Sequence, residues 1–318
     1  MSASDGQSTD NAPASRAVSS RPAHAGAVLV GAIQMRPQIG KLEANVELTL
    51  SLLDRAFASG VRLAVLPELS TSGYTFRDIE EARRSSEAVG GGIACRSWIE
   101  LCRRYDTYVV AGLLEQEDEA LYNAAVLLGP EGLIGRYRKV HLWAKEKELY
   151  SLGDLGFPVY DTPIGRIGMA ICYDAWFPET IRSLALSGAD IVCMPTNWVP
   201  VPGQPPHYPL LAHMLVMTAA HSNALYVVAA DRYGLERGQR FLGQSLIVDH
   251  TGWPLAGPAP VDRAALLVSK LYPVESRPER WGRAFNNPLG ERRPEMYQAL
   301  STAHDESSGK QVGGKCAS

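Results

Sequence analysis

Apolar positions along the chain follow two different periods. "AVLVGAIQM" (27–35) and "RLAVLPE" (62–68) are short, nearly continuous apolar runs of the kind that form buried strands. Between them, "KLEANVELTLSLLDRAFASG" (41–60) sets Val46, Leu50, Leu53 and Phe57 at steps of three and four. That spacing predicts an amphipathic helix, and Gly60 is a left-handed stop for it. Further helices are predicted over 78–88, 93–105, 178–188 and 209–223. Strands are predicted over 108–116, 121–130 and 132–142, joined by tight turns, and then over 165–172, 189–195, 225–231, 243–252 and 264–272. Helices and strands alternate early and hairpins fill the middle. This order predicts an α/β sandwich, not a barrel or a bundle. The Pro-rich stretch "WVPVPGQPPHYP" (198–209) reads as a loop over a cleft.

Composition narrows the class. The 318 residues are 46% apolar and 20% charged, enough for one large core. A net charge of -3 without a Lys/Arg cluster excludes a nucleic-acid partner, and no apolar run is long enough for a membrane span. Residues 1–26 are rich in Ser, Ala, Pro and Gly and have no apolar h-region, so a disordered tail is expected there. Residues 27–300 read as one domain and 301–318 as a second disordered tail. The five cysteines are Cys95, Cys102, Cys172, Cys193 and Cys316. Their odd number and the missing leader point to the cytoplasm, with no disulfide framework. No cysteine pair has zinc-knuckle spacing, and His213 and His221 lack the carboxylate of a helical zinc motif.

Three predicted strands end on a reactive polar residue. Glu68 follows "RLAVLP", Lys139 lies in "GRYRKVHLW", and Cys172 interrupts "GMAICYDAWFPE", where a strand gives way to a helix starting at Pro178 and Glu179. Each alone has an ordinary reading: a cap or ion pair, a solvated charge, a small core thiol. Together they form a set for acyl transfer. A carboxylate takes the thiol proton, the thiolate attacks a carbonyl, and an ammonium holds the oxyanion. A neighbouring cation and a helix mouth both favour a thiolate.

"LAVLPELSTSGY" (63–74), "GRYRKVHLW" (135–143) and "GRIGMAICYDAWFPE" (165–179) resemble, in order and spacing, the Glu, Lys and Cys motifs of the nitrilase superfamily of carbon–nitrogen hydrolases. "AHSNALYVVAAD" (220–231) and "RRPEMY" (292–297) resemble flanking segments of that family. The resemblance implies a four-layer αββα sandwich that pairs as an αββα–αββα homodimer. It implies Cys172 as nucleophile, Glu68 as general base, Lys139 as oxyanion cation and the Tyr173 N–H as second oxyanion donor. Glu146 falls where many members hold a further carboxylate that orients substrate and water. No metal or organic cofactor is implied.

Tyr173-Asp174 after the cysteine is similar to the amidase and carbamoyl-hydrolase branches, whereas nitrilases usually carry Trp-Glu there. N-carbamoylputrescine amidohydrolases have a similar segment but with Trp directly after the cysteine. The expected substrate is therefore a small amide or carbamoyl compound, with an organic nitrile as the alternative and a non-catalytic scaffold as the rival. Tyr74, Trp176 and Trp198 follow strand ends and are candidates for the substrate pocket or for core. A substrate carboxylate would call for a cation in the pocket, for which Arg232 and His207 are the candidates.

Overall fold

The computed structural model describes residues 26–205, 207–273 and 287–301. All but the inner end residue of each expected tail, and with them Cys316, lie outside the described residues. The chain runs β1 (Val28–Gln34), α1 (Leu42–Ala58), β2 (Leu63–Val65), α2 (Ile79–Arg83), α3 (Ile93–Tyr105), β3 (Tyr108–Glu117), β4 (Ala120–Gly129) and β5 (Gly132–Arg138). It continues through α4 (Glu146–Leu149), β6 (Val159–Thr162), β7 (Gly165–Met169), a 3₁₀ turn (Cys172–Trp176), α5 (Pro178–Leu186) and β8 (Ile191–Thr196). The last part is α6 (Leu211–Asn223), β9 (Tyr226–Asp231), β10 (Tyr233–Glu236), β11 (Gln239–Leu242), β12 (Leu246–Val248), β13 (Pro254–Ala256) and β14 (Ala265–Leu271).

Two six-stranded sheets result, ordered β14-β1-β2-β3-β4-β5 and β13-β12-β9-β8-β7-β6. Strand alternation explains how they stack. In the first sheet Leu63 and Val65 point toward the second sheet, while Ala64 and Leu66 point toward α1 and α3. In the second sheet Ile191 and Cys193 face inward, while Val192 and Met194 meet α5 and α6. Each sheet thus buries both faces, which is why its central strands read as continuous apolar runs. The layers are helix, sheet, sheet, helix, as the expected αββα sandwich requires. The outer face of α5 and α6 leaves Leu186 and Met214 exposed.

The helix expected over 78–88 stops at Arg83. Asp78 caps its start through a bond from the Glu81 N–H (2.8 Å), but Glu87 leaves to pair with β3, its N–H donating to the Leu114 carbonyl (2.9 Å). The strand expected over 132–142 ends at Arg138, where the chain turns inward and carries Lys139 with it. β6, β10, β11, β13 and α4 were not legible: all are four residues or fewer, too short to display a period.

Central pairs β1–β2–β3 and β7–β8–β9 are parallel. Parallel strands deliver their C-terminal ends to one edge, where open α/β sheets gather functional groups. Glu68 follows β2, Cys172 follows β7 and Asn197 follows β8.

Candidate active site

The loop after β2 is pulled from its own sheet toward the other. The Glu68 N–H reaches the Thr196 carbonyl (3.4 Å), and Asn197 Nδ2 donates to the Glu68 carbonyl (3.0 Å). The same loop lies flat on β3. A Cβ at Gly112 would fall 2.5 Å from Glu68 Cα and 2.6 Å from the Pro67 carbonyl oxygen, so only glycine admits this crossing. Leu69, next to Glu68, takes a left-handed φ of 49°.

Lys139 stands 1% exposed between two carboxylates that are themselves buried. Its Nζ donates to Glu68 Oε1 (2.6 Å) and to Glu146 Oε1 (2.9 Å). Asn123, from the middle of β4, offers Nδ2 to the same two oxygens at 2.6 and 3.2 Å. Glu146 Oε2 accepts the Trp143 N–H (2.8 Å), which fixes α4 over the site. Sequence reasoning found Glu68, Lys139 and Glu146 but missed Asn123. A single amide in "LYNAAVLL" gives only one signal, a polar residue in an apolar strand.

Two carboxylates and one ammonium leave this cluster one negative charge in excess. Burial pushes the Glu68 carboxyl up to about 7 against the pull of Lys139, with Glu146 adding to the rise and Asn123 opposing it. For Lys139, burial disfavours the charge, but Glu146 and Glu68 outweigh it and keep the ammonium above the usual lysine range. Glu68 Oε1 is engaged by two donors, whereas Glu68 Oε2 is buried with no hydrogen-bond partner among the described residues. An unpartnered buried carboxylate oxygen is a ready proton acceptor.

Cys172 opens the 3₁₀ turn with φ of 45°, a left-handed value rare for a residue with a side chain. The helix start at Pro178 is where the sequence put it, but the cysteine is not at that helix's mouth. Asp174 imposes the intervening turn. Its Oδ2 accepts the Ile171 N–H (2.8 Å) and the Tyr137 hydroxyl (2.7 Å), and its Oδ1 accepts the His141 N–H (3.1 Å). Burial, then Glu68, push the thiol well above its usual range, while Lys139 and a backbone bond from Asn197 pull it down. Desolvation thus opposes the thiolate that the neighbouring cation favours. Tyr173 is second in the turn, where a helical start leaves N–H groups without intrahelical partners.

Cys172 opens into a pocket shared with Tyr74, Trp176 and Trp198, the three aromatic candidates, and also with Trp143, Tyr173 and Asn197. Val199, Val201 and Gln204 of the Pro-rich loop close it. Tyr74 also faces Glu146. Arg232 and His207 do not line it. Arg232 is buried against Glu236 (2.8 Å), and His207 is exposed on the loop. The other described cysteines are unpaired core thiols: burial pushes Cys95 up to about 11 and Cys102 up to about 12, and Cys193 lies between the sheets.

Comparison with known proteins agrees with this picture. A "Nitrilase" of Pyrococcus abyssi is 40% identical over 220 residues, covering 69% of this chain and 80% of its own. An "(R)-stereoselective amidase" of a Pseudomonas species is 33% identical over 221 residues, 69% of this chain and 77% of its own. The crystal structure of a carbon–nitrogen hydrolase from Helicobacter pylori superposes with a TM-score of 0.75 at 24% identity, covering 87% of this chain and 99% of that one. The sequence profile of the family described as carbon–nitrogen hydrolase matches residues 29–270, nearly the whole sandwich. The chain belongs to the carbon–nitrogen hydrolases, in the amidase-like part of the nitrilase superfamily.

Proposed function

We propose that the protein hydrolyses a small amide or N-carbamoyl compound through a Cys172 thioester. One observation carries the reading: the pocket-lining Cys172 thiol feels the charges of Glu68 and Lys139 behind it, a buried carboxylate with one free oxygen bonded to a buried ammonium. Glu68 Oε2 takes the thiol proton as sulfur attacks the carbonyl carbon. Lys139 Nζ and the Tyr173 N–H hold the tetrahedral oxyanion. The intermediate collapses, Glu68 returns the proton to the departing nitrogen, and ammonia or an amine leaves. Water then enters, Glu68 takes its proton, Glu146 orients it, and the thioester is cleaved to carboxylate and thiol.

The 40% identity to a chain called a nitrilase favours the nitrile as a second reading. The amidase relative supports the amide. The Tyr173-Asp174 pair bears on this less than sequence suggests. Asp174 turns away to Tyr137 and His141 and shapes the backbone, while Tyr173 alone faces the pocket. Ammonia release from butyramide, N-carbamoylbutylamine and butyronitrile, each with wild type and Cys172→Ala, tests both. Cys172-dependent release from the amide or the carbamoyl compound upholds the proposal. Release from the nitrile alone replaces it with the nitrilase reading, and no dependence on Cys172 removes both.

The base must be ionised to accept a proton, so kcat/KM is expected to fall with unit slope as pH drops through about 7. Asn123→Leu removes a donor that favours the ionised form of Glu68. Its acid limb is expected at higher pH than in wild type, with a lower plateau. An unmoved limb in a pH–rate profile would detach Asn123 from the base.

A further inference from the structure

The hydrolase reading leaves the acyl group open, and the pocket narrows it. No residue lining the pocket carries a charge among the described residues. One wall is a three-ring cluster: Trp143 stands 4.8 Å from Tyr173 and 6.0 Å from Trp176, and Tyr173 lies 5.6 Å from Trp176, measured between ring centroids. Trp198 forms another wall. It is 5% exposed, its backbone N–H donates to Asp231 Oδ1 (2.9 Å), and its ring meets His213 edge to face at 5.3 Å. Val199, Val201 and Leu242 fill the gaps. These rings brace one another, so the surface is formed before a ligand arrives.

A charged end group has no partner here. A carboxylate entering the pocket sheds water, meets no lining cation, and approaches a cluster whose one ammonium is already paired with two carboxylates. Arg232, one of the two cations expected for a substrate carboxylate, is bonded to Glu236 and stacked at 4.1 Å on the Phe241 ring, outside the lining. An ammonium is drawn by the cluster's excess negative charge, but it sheds its water in a lining that offers no carboxylate to pair with it. An alkyl or aryl group loses nothing on desolvation, and each methylene buried adds roughly fourfold to binding. Flat rings also gain edge and offset contacts with the three-ring wall.

We propose that this pocket selects a neutral, apolar acyl group, alkyl or aryl, and rejects acyl groups that end in a carboxylate or an ammonium. The proposal rests on the hydrolase reading above but is separable from it. The test is kcat/KM for hexanamide and phenylacetamide against 4-carbamoylbutanoate, a near-isostere of hexanamide, and N-carbamoyl-1,4-diaminobutane. The neutral amides are expected to exceed both charged compounds at least a hundredfold. In Trp176→Ala, the hexanamide-to-acetamide ratio is expected to fall at least tenfold, a selectivity change that general unfolding would not produce. Cys172-dependent turnover in which a charged compound matches or exceeds hexanamide would overturn the proposal while leaving the hydrolase reading intact. If amides are inert and nitriles turn over, hexanenitrile against 4-cyanobutanoate reads the same pocket with the same expected ratio. If nothing turns over, the hydrolase reading fails. Calorimetric binding to Cys172→Ala then decides: hexanamide should bind at least tenfold tighter than 4-carbamoylbutanoate, and equal or reversed affinities would sink the idea.

Discussion

Glu68→Gln is expected to lower kcat/KM by roughly 10² to 10⁴-fold, the usual contribution of a positioned base. The residual activity should lose its acid limb, because the group that titrates near 7 is gone. Stability should move the other way. The Glu68 carboxyl is raised from 4.5 to about 7 in the folded chain, so folding favours its protonated form. That contribution is fully present below pH 4.5 and is lost as pH rises through about 7. By the usual conversion it amounts to about 3 kcal/mol. Glutamine keeps a hydrogen-bonding shape and carries no charge. Its denaturation free energy should therefore gain on wild type between pH 5 and pH 8. Near-normal turnover by the purified variant would take Glu68 out of the mechanism. A stability gap that does not change with pH would contradict the buried-charge account.

Lys139→Met removes the ammonium from between two buried carboxylates. Turnover is expected to fall at least about a hundredfold, the effect of losing one oxyanion donor. The fold should suffer as well. Removing one member of a buried ionic group leaves the rest uncompensated, at about 3–5 kcal/mol. The Glu68 carboxyl, no longer held down by Lys139, should then take up a proton more readily in the folded chain, so lost stability should return as pH falls from 8 toward 5. Denaturant titrations at the two pH values check this. Equal losses at both would show that Lys139 matters for shape alone. The size of the loss follows from its position, 1% exposed and bonded on both sides.

How far the chain could be read ahead of its coordinates depends on the residue. The strands that carry Glu68 and Cys172 are buried on both faces, so their apolar runs stand out and so does the polar residue that ends each. The 198–209 loop shows itself through its prolines, and Trp198 and Val201 do line the pocket. Asn123 is different. Its role comes from the register of β4, which no local pattern encodes, and from two carboxylates 55 and 23 residues away. Asp174 is legible as a residue of the nucleophile motif, but its task of bending the chain at Ile171 needs Tyr137 and His141 from another segment. The left-handed φ of Cys172 has no signature either, since glycine is the usual residue for that region.

The two halves of the proposed chemistry stand on different sheets. Glu68, Asn123 and Lys139 come from the sheet built around β2–β5, while Cys172, Asn197 and Asp231 come from the one built around β7–β9. Among the described residues, the shared core and bonds such as Asn197 to Glu68 and Tyr137 to Asp174 hold one against the other. Catalysis therefore works as a gauge of the distance between the sheets. A core change that lets them slide by an ångström leaves every helix and strand in place and separates sulfur from carboxylate. On heating, turnover should vanish before far-ultraviolet circular dichroism changes.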